Sequence, residues 1–231
     1  MLALAHSPPL AFTSVRWKRG AVLPPPPEFR LRRFRSLGLL LALAACSTTP
    51  VDVAYRPGAD ASDSVAASRQ QQQQQRPVVA VGAFTDQRGE DPNWLGSIRG
   101  GFGNPLKTLT TPEPVALVVR KAFSDGLAAR GLLAEAGGGR YTLTGTVQQF
   151  DATQMARREA TAKLLVTLTD AATGRTILSE PFEHRVVAGS ILTLRTGVFA
   201  SVDELRDVAA QALNGAVDKA LDSPAFRQAV R

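Results

Sequence analysis

Cysteine occurs once, at position 46, and histidine twice, at positions 6 and 184. One thiol cannot close an intramolecular disulfide, and one thiol with two imidazoles falls short of the ligand set of a usual zinc site. No metal and no cofactor is therefore expected. Apolar runs are short as well, and none approaches the roughly 20 residues that a bilayer-spanning helix needs. A strongly basic body is also missing, although the formal charge is +7. Residues 1–45 hold Arg16, Lys18, Arg19, Arg30, Arg32, Arg33 and Arg35 against Glu28 alone, a net of +6, which leaves +1 for residues 46–231. Nucleic-acid binding calls for a basic stripe on the folded part itself, so no nucleic-acid partner is expected.

A phosphate-binding loop is lacking too, in spite of the glycines in "WLGSIRGGFGNPLKTL", residues 94–109. A P-loop places glycine directly before its Lys-Ser/Thr pair, so that backbone N–H groups wrap the phosphates. Here Leu106 stands before Lys107-Thr108, after Pro105. Proline offers no N–H and turns Asn104 away from helical geometry. The dinucleotide fingerprint fails at the same residue, because Leu106 occupies the position of its last glycine.

What is present begins with "RLRRFRSLGLLLALAACSTTP", residues 30–50: a basic start, an apolar stretch from Leu37 to Ala45, and small residues before Cys46. That order is the order of a signal peptide. "LAAC", Leu43 to Cys46, resembles a bacterial lipobox, in which the thiol is acylated and the chain is cut just before the cysteine. The resemblance implies that Cys46 is the lipidated first residue of the mature chain, held in the membrane by two or three acyl chains. Ser47 follows it rather than aspartate. By resemblance to enterobacterial sorting, that implies the outer membrane, periplasmic side. Residues 1–29 do not fit the signal and read as a mis-assigned start or a disordered extension. Residues 30–45 are the lipoprotein signal peptide. Residues 46–77, with six consecutive glutamines, read as the lipidated cysteine and a polar, Gln-rich tether, too poor in apolar surface to offset chain entropy.

From Pro77 the pattern changes. "PVVAVGAFTD" reads as a buried strand ending near Asp86. "TTPEPVALVVRKAFSDGLAARG" predicts a helix with Thr111 as N-cap, Pro112 in the first position, Glu113 in the first turn and Gly131 as its stop. Its apolar face is Val115, Val118, Val119, Ala122, Phe123 and Leu127, with Arg120, Lys121, Asp125 and Arg130 toward solvent. "RYTLTGTVQQF" alternates, and residues 160–187 supply two more alternating runs across a turn at Thr173-Gly174. Ser201 and Glu204 stand at capping-box spacing before a last helix whose apolar face runs from Leu205 to Leu221. The expected fold is a single α+β domain over residues 78–222, in β-α-β-β-β-α order, with both helices on one mixed or antiparallel sheet. Residues 223–231 are left as a C-terminal tail.

Chemistry-bearing residues are sparse. His184 sits in an alternating run between Glu183 and Arg185 and reads as solvent-facing, with no nucleophile presented beside it. Asp151 and Asp170 read as turn residues, and Arg157-Arg158-Glu159 as a solvated loop or strand edge. Asp86 and Arg88 close the first strand as an Asp-x-Arg motif. The glycine-rich stretch is too apolar to be a plain linker. Either its side chains fold back onto the sheet, or it presents Trp94 and Phe102 beside Arg99, Asn104 and Lys107 as a candidate binding loop for an envelope protein or an anionic partner.

The lipobox, the polar stretch after it, the "VVAVGAFTDQR" strand with Asp86 and Arg88, and the helix closing on "ARG" at 129–131 together resemble the YajG-like lipoproteins over about residues 78–222. That resemblance implies an outer-membrane lipoprotein without a known reaction and brings no catalytic residues with it. The expected role is a non-catalytic binding or assembly module, with an envelope protein as candidate partner. A second resemblance is to auxiliary lipoproteins of ABC-type transport systems. It is carried by Tyr141, Leu143, Gly145, Val147, Phe150 and Asp151 in a "Y-x-L-x-G-x-V-x-x-F-D" strand, and implies a place in lipid or solute transport. An envelope enzyme is the outside alternative, and no acid, base or nucleophile can be nominated for it. The oligomeric state is not written in the sequence.

Overall fold

The computed structural model describes residues 47–58, 78–189 and 200–231. Cys46, the expected signal peptide (residues 30–45), the expected extension (residues 1–29) and the glutamine run lie outside the described residues. The strands are β1 (Ser47–Pro50), β2 (Val79–Asp86), β3 (Trp94–Arg99), β4 (Pro105–Thr110), β5 (Tyr141–Gln154), β6 (Arg158–Asp170) and β7 (Thr176–Ala188). The helices are α1 (Val115–Ala129), α2 (Val202–Leu221) and α3 (Pro224–Ala229). They form an α+β fold on a single mixed sheet of seven strands, in the order β1-β4-β3-β5-β6-β7 with β2 also on β5.

The expected β-α-β-β-β-α order is there as β2-α1-β5-β6-β7-α2, and β1, the β3–β4 pair and α3 are additions to it. The long strand β5 makes this possible. Its first half pairs in parallel with β2 from Tyr141 to Val147, and its last residues pair in parallel with β3 from Ala152 to Gln154. A bulge between Val147 and Gln149 separates the two halves. One extra residue reverses the facing of all that follow, so the buried set changes from Tyr141, Leu143 and Val147 to Phe150 and Ala152. Asp151 is therefore a strand residue opposite Thr161, not the turn residue its type suggests. Asp170 does act in a turn, where its Oδ1 accepts from the Thr173 N–H at 2.9 Å.

Both helices cover one face of the sheet. α1 buries Val115, Val119, Ala122, Phe123 and Leu127, with Phe123 stacked on Phe84 at 5.1 Å between ring centres. α2 buries Leu205, Val208, Ala209, Ala212, Leu213, Ala216, Val217, Ala220 and Leu221, the whole expected stripe. Ser201 caps α2 by accepting from the Glu204 N–H at 3.4 Å. α1 ends as expected at Gly131, whose φ of 64° suits glycine. The Leu132 N–H then donates back to the Leu127 carbonyl at 2.9 Å, closing the turn. The start of α1 differs from expectation. Thr111 is not its cap: its hydroxyl donates to the Glu113 carbonyl at 2.6 Å, and the helix begins at Val115, whose N–H donates to the Pro92 carbonyl at 2.8 Å. Pro114 is the reason, because it keeps Glu113 out of helical geometry.

Three segments depart from the sequence reading. Residues 47–58, expected as tether, enter the fold. β1 pairs in parallel with β4, and Val51, Val53 and Tyr55 are buried in the core. Their alternation in "VDVAY" outweighs the polar composition around it. Residues 94–109, expected as a loop, are an antiparallel pair with Leu95, Ile98 and Leu109 buried. The glycine that lowers strand propensity there is required: a Cβ on Gly96 would overlap the Ala152 carbonyl oxygen. Residues 223–231, expected as tail, carry α3. Ser223 caps it by accepting from the Phe226 N–H at 3.1 Å, and Phe226 is fully buried.

Candidate functional site

The chain leaving β1 runs extended to Gly58, and its far end is clamped. The Tyr55 hydroxyl donates to Asp218 Oδ1 at 2.5 Å, and the Gly58 N–H donates to Asp218 Oδ2 at 2.9 Å. Arg130 closes the clamp from the end of α1. Its Nη2 donates to Asp222 Oδ2 at 2.7 Å and to Asp218 Oδ1 at 3.0 Å, its Nε to Asp222 Oδ1 at 3.0 Å, and its Nη1 to the Tyr55 hydroxyl at 3.1 Å and the Gly126 carbonyl at 3.0 Å. Arg130, expected toward solvent, is thus almost wholly buried, because the Gly131 stop lets its side chain turn back over the last turn of α1. Burial opposes its charge, but Asp222 and Tyr55 more than compensate, and its pKa is raised. Burial and the bond to Asp218 push the Tyr55 phenol up to about 12, against the opposing Arg130. Tyr55 therefore stays a neutral donor throughout the physiological range.

Beside the clamp lies an open groove of about 1060 Å³ between the 52–58 segment, α2 and β7. Arg56, Arg206 and Lys219 line it together with Asp52, Asp207, Asp218 and Asp222, and its lining contains no serine, threonine or cysteine. Asn214 Oδ1, on the same helix face, is buried without a partner among the described residues. His184 belongs to this groove and is half-buried, not solvent-facing as expected. Its ring lies on Gly215, where an added Cβ would collide with Cδ2. Burial, helped by the Lys219 ammonium and opposed by Asp218, holds its pKa below the ordinary histidine value. The unfolded chain then binds the proton more readily. Stability contributed by neutral His184 is complete above the ordinary value and declines as pH falls through it. In urea unfolding followed from about pH 7 to about pH 5, His184→Gln is expected to lose less stability than the parent chain. Parallel curves for the two would refute the packing given to His184.

The residues nominated from sequence fall into two places. Asp86 and Arg88 form an internal pin. Arg88 Nε and Nη2 grip the Asp86 carboxylate at 2.9 and 2.8 Å, while Nη1 donates to the Trp94 and Phe150 carbonyls at 2.7 and 3.0 Å. This ties the end of β2 to β3 and β5, and Arg88 outweighs burial to lower the Asp86 pKa. The candidate binding loop is divided. Trp94 is half-buried at the start of β3, and Lys107, on β4, donates to the Ala200 carbonyl at 3.1 Å. Arg99, Phe102 and Asn104 are exposed around the β3–β4 turn, with Arg99 Nη1 donating to the Gly103 carbonyl at 3.2 Å. Neither place is the groove. Sequence reasoning passed over Tyr55, Arg130, Asp218 and Asp222, although the i,i+4 spacing of the two aspartates at the end of an apolar helix was a usable signal. Among the described residues no group of three or more metal-ligating side chains converges, and no helix is long and apolar enough to cross a membrane.

A mixed sheet whose long central strand carries parallel partners on one edge, with two helices on one face, allows comparison with solved structures. The fold resembles that of XCC0632 from Xanthomonas campestris. The two are 14% identical, the match covers 79% of this chain and 97% of that one, and the TM-score is 0.54. That protein is described as a member of the DUF330 family, and at this identity the likeness concerns the fold alone. A candidate lipoprotein from Caulobacter crescentus CB15 aligns at 19% identity over 50% of this chain and 84% of its own, with a TM-score of 0.38. No family model matches the chain, and no curated protein matches its sequence.

Proposed function

We propose that the chain is a lipid-anchored envelope lipoprotein of YajG-like type, whose folded part is a non-catalytic binding or assembly module at the periplasmic face of the outer membrane. The observation that carries this reading is the start of β1 at Ser47, the residue directly after the lipobox cysteine. An acyl group on Cys46 would thereby hold the sheet itself at the bilayer. Ser47 after the cysteine favours the outer membrane. The groove's lining offers charged and amide groups but no hydroxyl or thiol side chain, which supports binding over acyl transfer through a serine, threonine or cysteine. Its mixed charges suit a polar partner segment from an envelope protein.

Labelling with a fatty-acid analogue tests the anchor. Cys46→Ala is expected to abolish acyl incorporation and move the protein out of the membrane fraction. Equal labelling, with both forms remaining in membranes, would overturn the reading. The auxiliary lipoprotein of an ABC-type transport system is the second reading. It is favoured by the place of the "Y-x-L-x-G-x-V-x-x-F-D" run, which is β5, the strand to which β2, β3 and β6 all pair. Gentle solubilisation and co-purification separate the two: recovery of a transporter's subunits supports the second, and their absence alongside another envelope protein supports the first.

A further inference from the structure

The strand directions gather one end of the sheet into a single surface. β1 is parallel to β4 with Ser47 opposite Lys107, so Ser47 lies at the end where β4 begins and the β3–β4 turn projects. β5 is parallel to β3, with Ile98 opposite Gln154, which sets the β5–β6 turn beside that same projection. The antiparallel β6–β7 pair brings the last residues of β7 there as well, with Val187 opposite Glu159. Four large apolar side chains are exposed among the described residues, and three stand at this end. Phe102, on the β3–β4 turn, is fully exposed, Met155 in the β5–β6 turn is 50% exposed, and Val187 is 45% exposed. Exposed cations accompany them: Arg99 beside the β3–β4 turn and Arg157 in the β5–β6 turn. Among the described residues neither is ion-paired to a carboxylate.

We infer that this end of the sheet is a second membrane contact, with Phe102 inserted among the lipid headgroups and Arg99 and Arg157 against anionic ones. The occupant is a lipid surface because of where the chain leads. Cys46 is covalently next to Ser47, so an acyl anchor there puts the bilayer within one residue of the surface that carries Phe102. An aromatic ring flanked by guanidinium groups is the chemistry that interfacial binding uses: apolar area enters the acyl boundary, and cations meet the negative headgroups. Single exposed apolar residues are ordinary on a soluble domain, but three at one end of the sheet beside two exposed guanidinium groups are the kind of grouping that marks a contact surface. The inference rests on the lipid-anchored reading, and it adds an orientation: strands pointing into the membrane at the β3–β4 turn, with the start of α1 away from it.

The test uses the full mature chain, purified from membranes and reconstituted in vesicles of phosphatidylethanolamine and phosphatidylglycerol. Phe102→Trp and Leu117→Trp each add one tryptophan to the Trp94 background. Leu117 is the matched control, an exposed apolar residue in the first turn of α1, beyond the opposite end of β4. With brominated lipids, Phe102→Trp is expected to show a blue-shifted emission and to lose most of its added fluorescence, while Leu117→Trp keeps its own. Replacing Arg99 and Arg157 by glutamine should weaken that quenching in anionic vesicles and leave it unchanged in phosphatidylcholine. Flotation with the vesicles and the mass of the N-terminal peptide report the anchor independently. An acylated, floated chain in which the added fluorescence of Phe102→Trp is as unquenched as that of Leu117→Trp, or in which both are quenched alike, overturns the docking alone. A chain without acyl on Cys46 overturns the anchor and the docking together.

Discussion

Arg130→Leu is expected to lose about 3–5 kcal/mol of folding stability, the cost of removing one member of a buried ion cluster and leaving the others behind. Two carboxylates depend on this one guanidinium. Its side chain is 3% exposed, against 12% for Asp218 and 26% for Asp222. Without it, both aspartates would face each other across one helical turn, and the Tyr55 hydroxyl would lose a donor. Tyr55→Phe, which takes away a hydroxyl while the ion cluster survives, should cost only about 1 kcal/mol. Urea midpoints give both numbers, and proteolysis adds location. Cleavage between Val51 and Gly58 should become fast in Arg130→Leu, because the clamp is what holds that segment on α2. A loss below about 1 kcal/mol, with the segment still protected, would show that apolar burial of Val51, Val53 and Tyr55 suffices and that the clamp is incidental.

Gly96→Ala should be about as damaging, at roughly 3 kcal/mol or more, through steric overlap rather than charge. The added methyl would lie 2.8 Å from the Ala152 carbonyl carbon and overlap its oxygen. Backbone cannot swing aside as a side chain can, so β3 would have to leave β5 along the few residues where they pair. That junction joins the β3–β4 pair, and β1 beyond it, to the rest of the sheet. Gly101→Ala supplies the contrast within the same pair. Nothing lies within 4 Å of its would-be methyl, and its stability should stay within about 0.5 kcal/mol of the parent. Equal tolerance of both substitutions would mean that β3 does not approach β5 as described.

These two sites mark the limit of what the sequence made legible. Periodicity revealed α2 along its whole buried face, because a long helix repeats its pattern over many turns and tolerates local exceptions. It revealed β5, β6 and β7 for the same reason, up to the bulge after Val147, where a period of two changes phase without warning. Short elements were hidden by composition. The glycines around β3 count against a strand in any propensity scale, yet Gly96 is there because two backbones meet. Val51, Val53 and Tyr55 alternate correctly, but they are embedded between a serine-threonine run and a glutamine-rich one. The clamp was the least accessible part. A helical projection sends Arg130 outward, and only the Gly131 turn, together with a tyrosine from far along the chain, brings it in.

The placement of β1 changes what the glutamine-rich stretch can do for an anchored protein. A flexible chain covering all of residues 47–77 would let its domain wander by about 30 Å from the attachment point, sampling a wide volume at low effective concentration. With Ser47 already in the sheet, that reach disappears. Gly58 and Val78 both belong to one fold, so the length of chain between them would no longer set the distance to the lipid. On the lipid-anchored reading, such a module would search in two dimensions. Its encounters would be governed by lateral diffusion and by the height of the groove above the bilayer, so partners would have to come to that height.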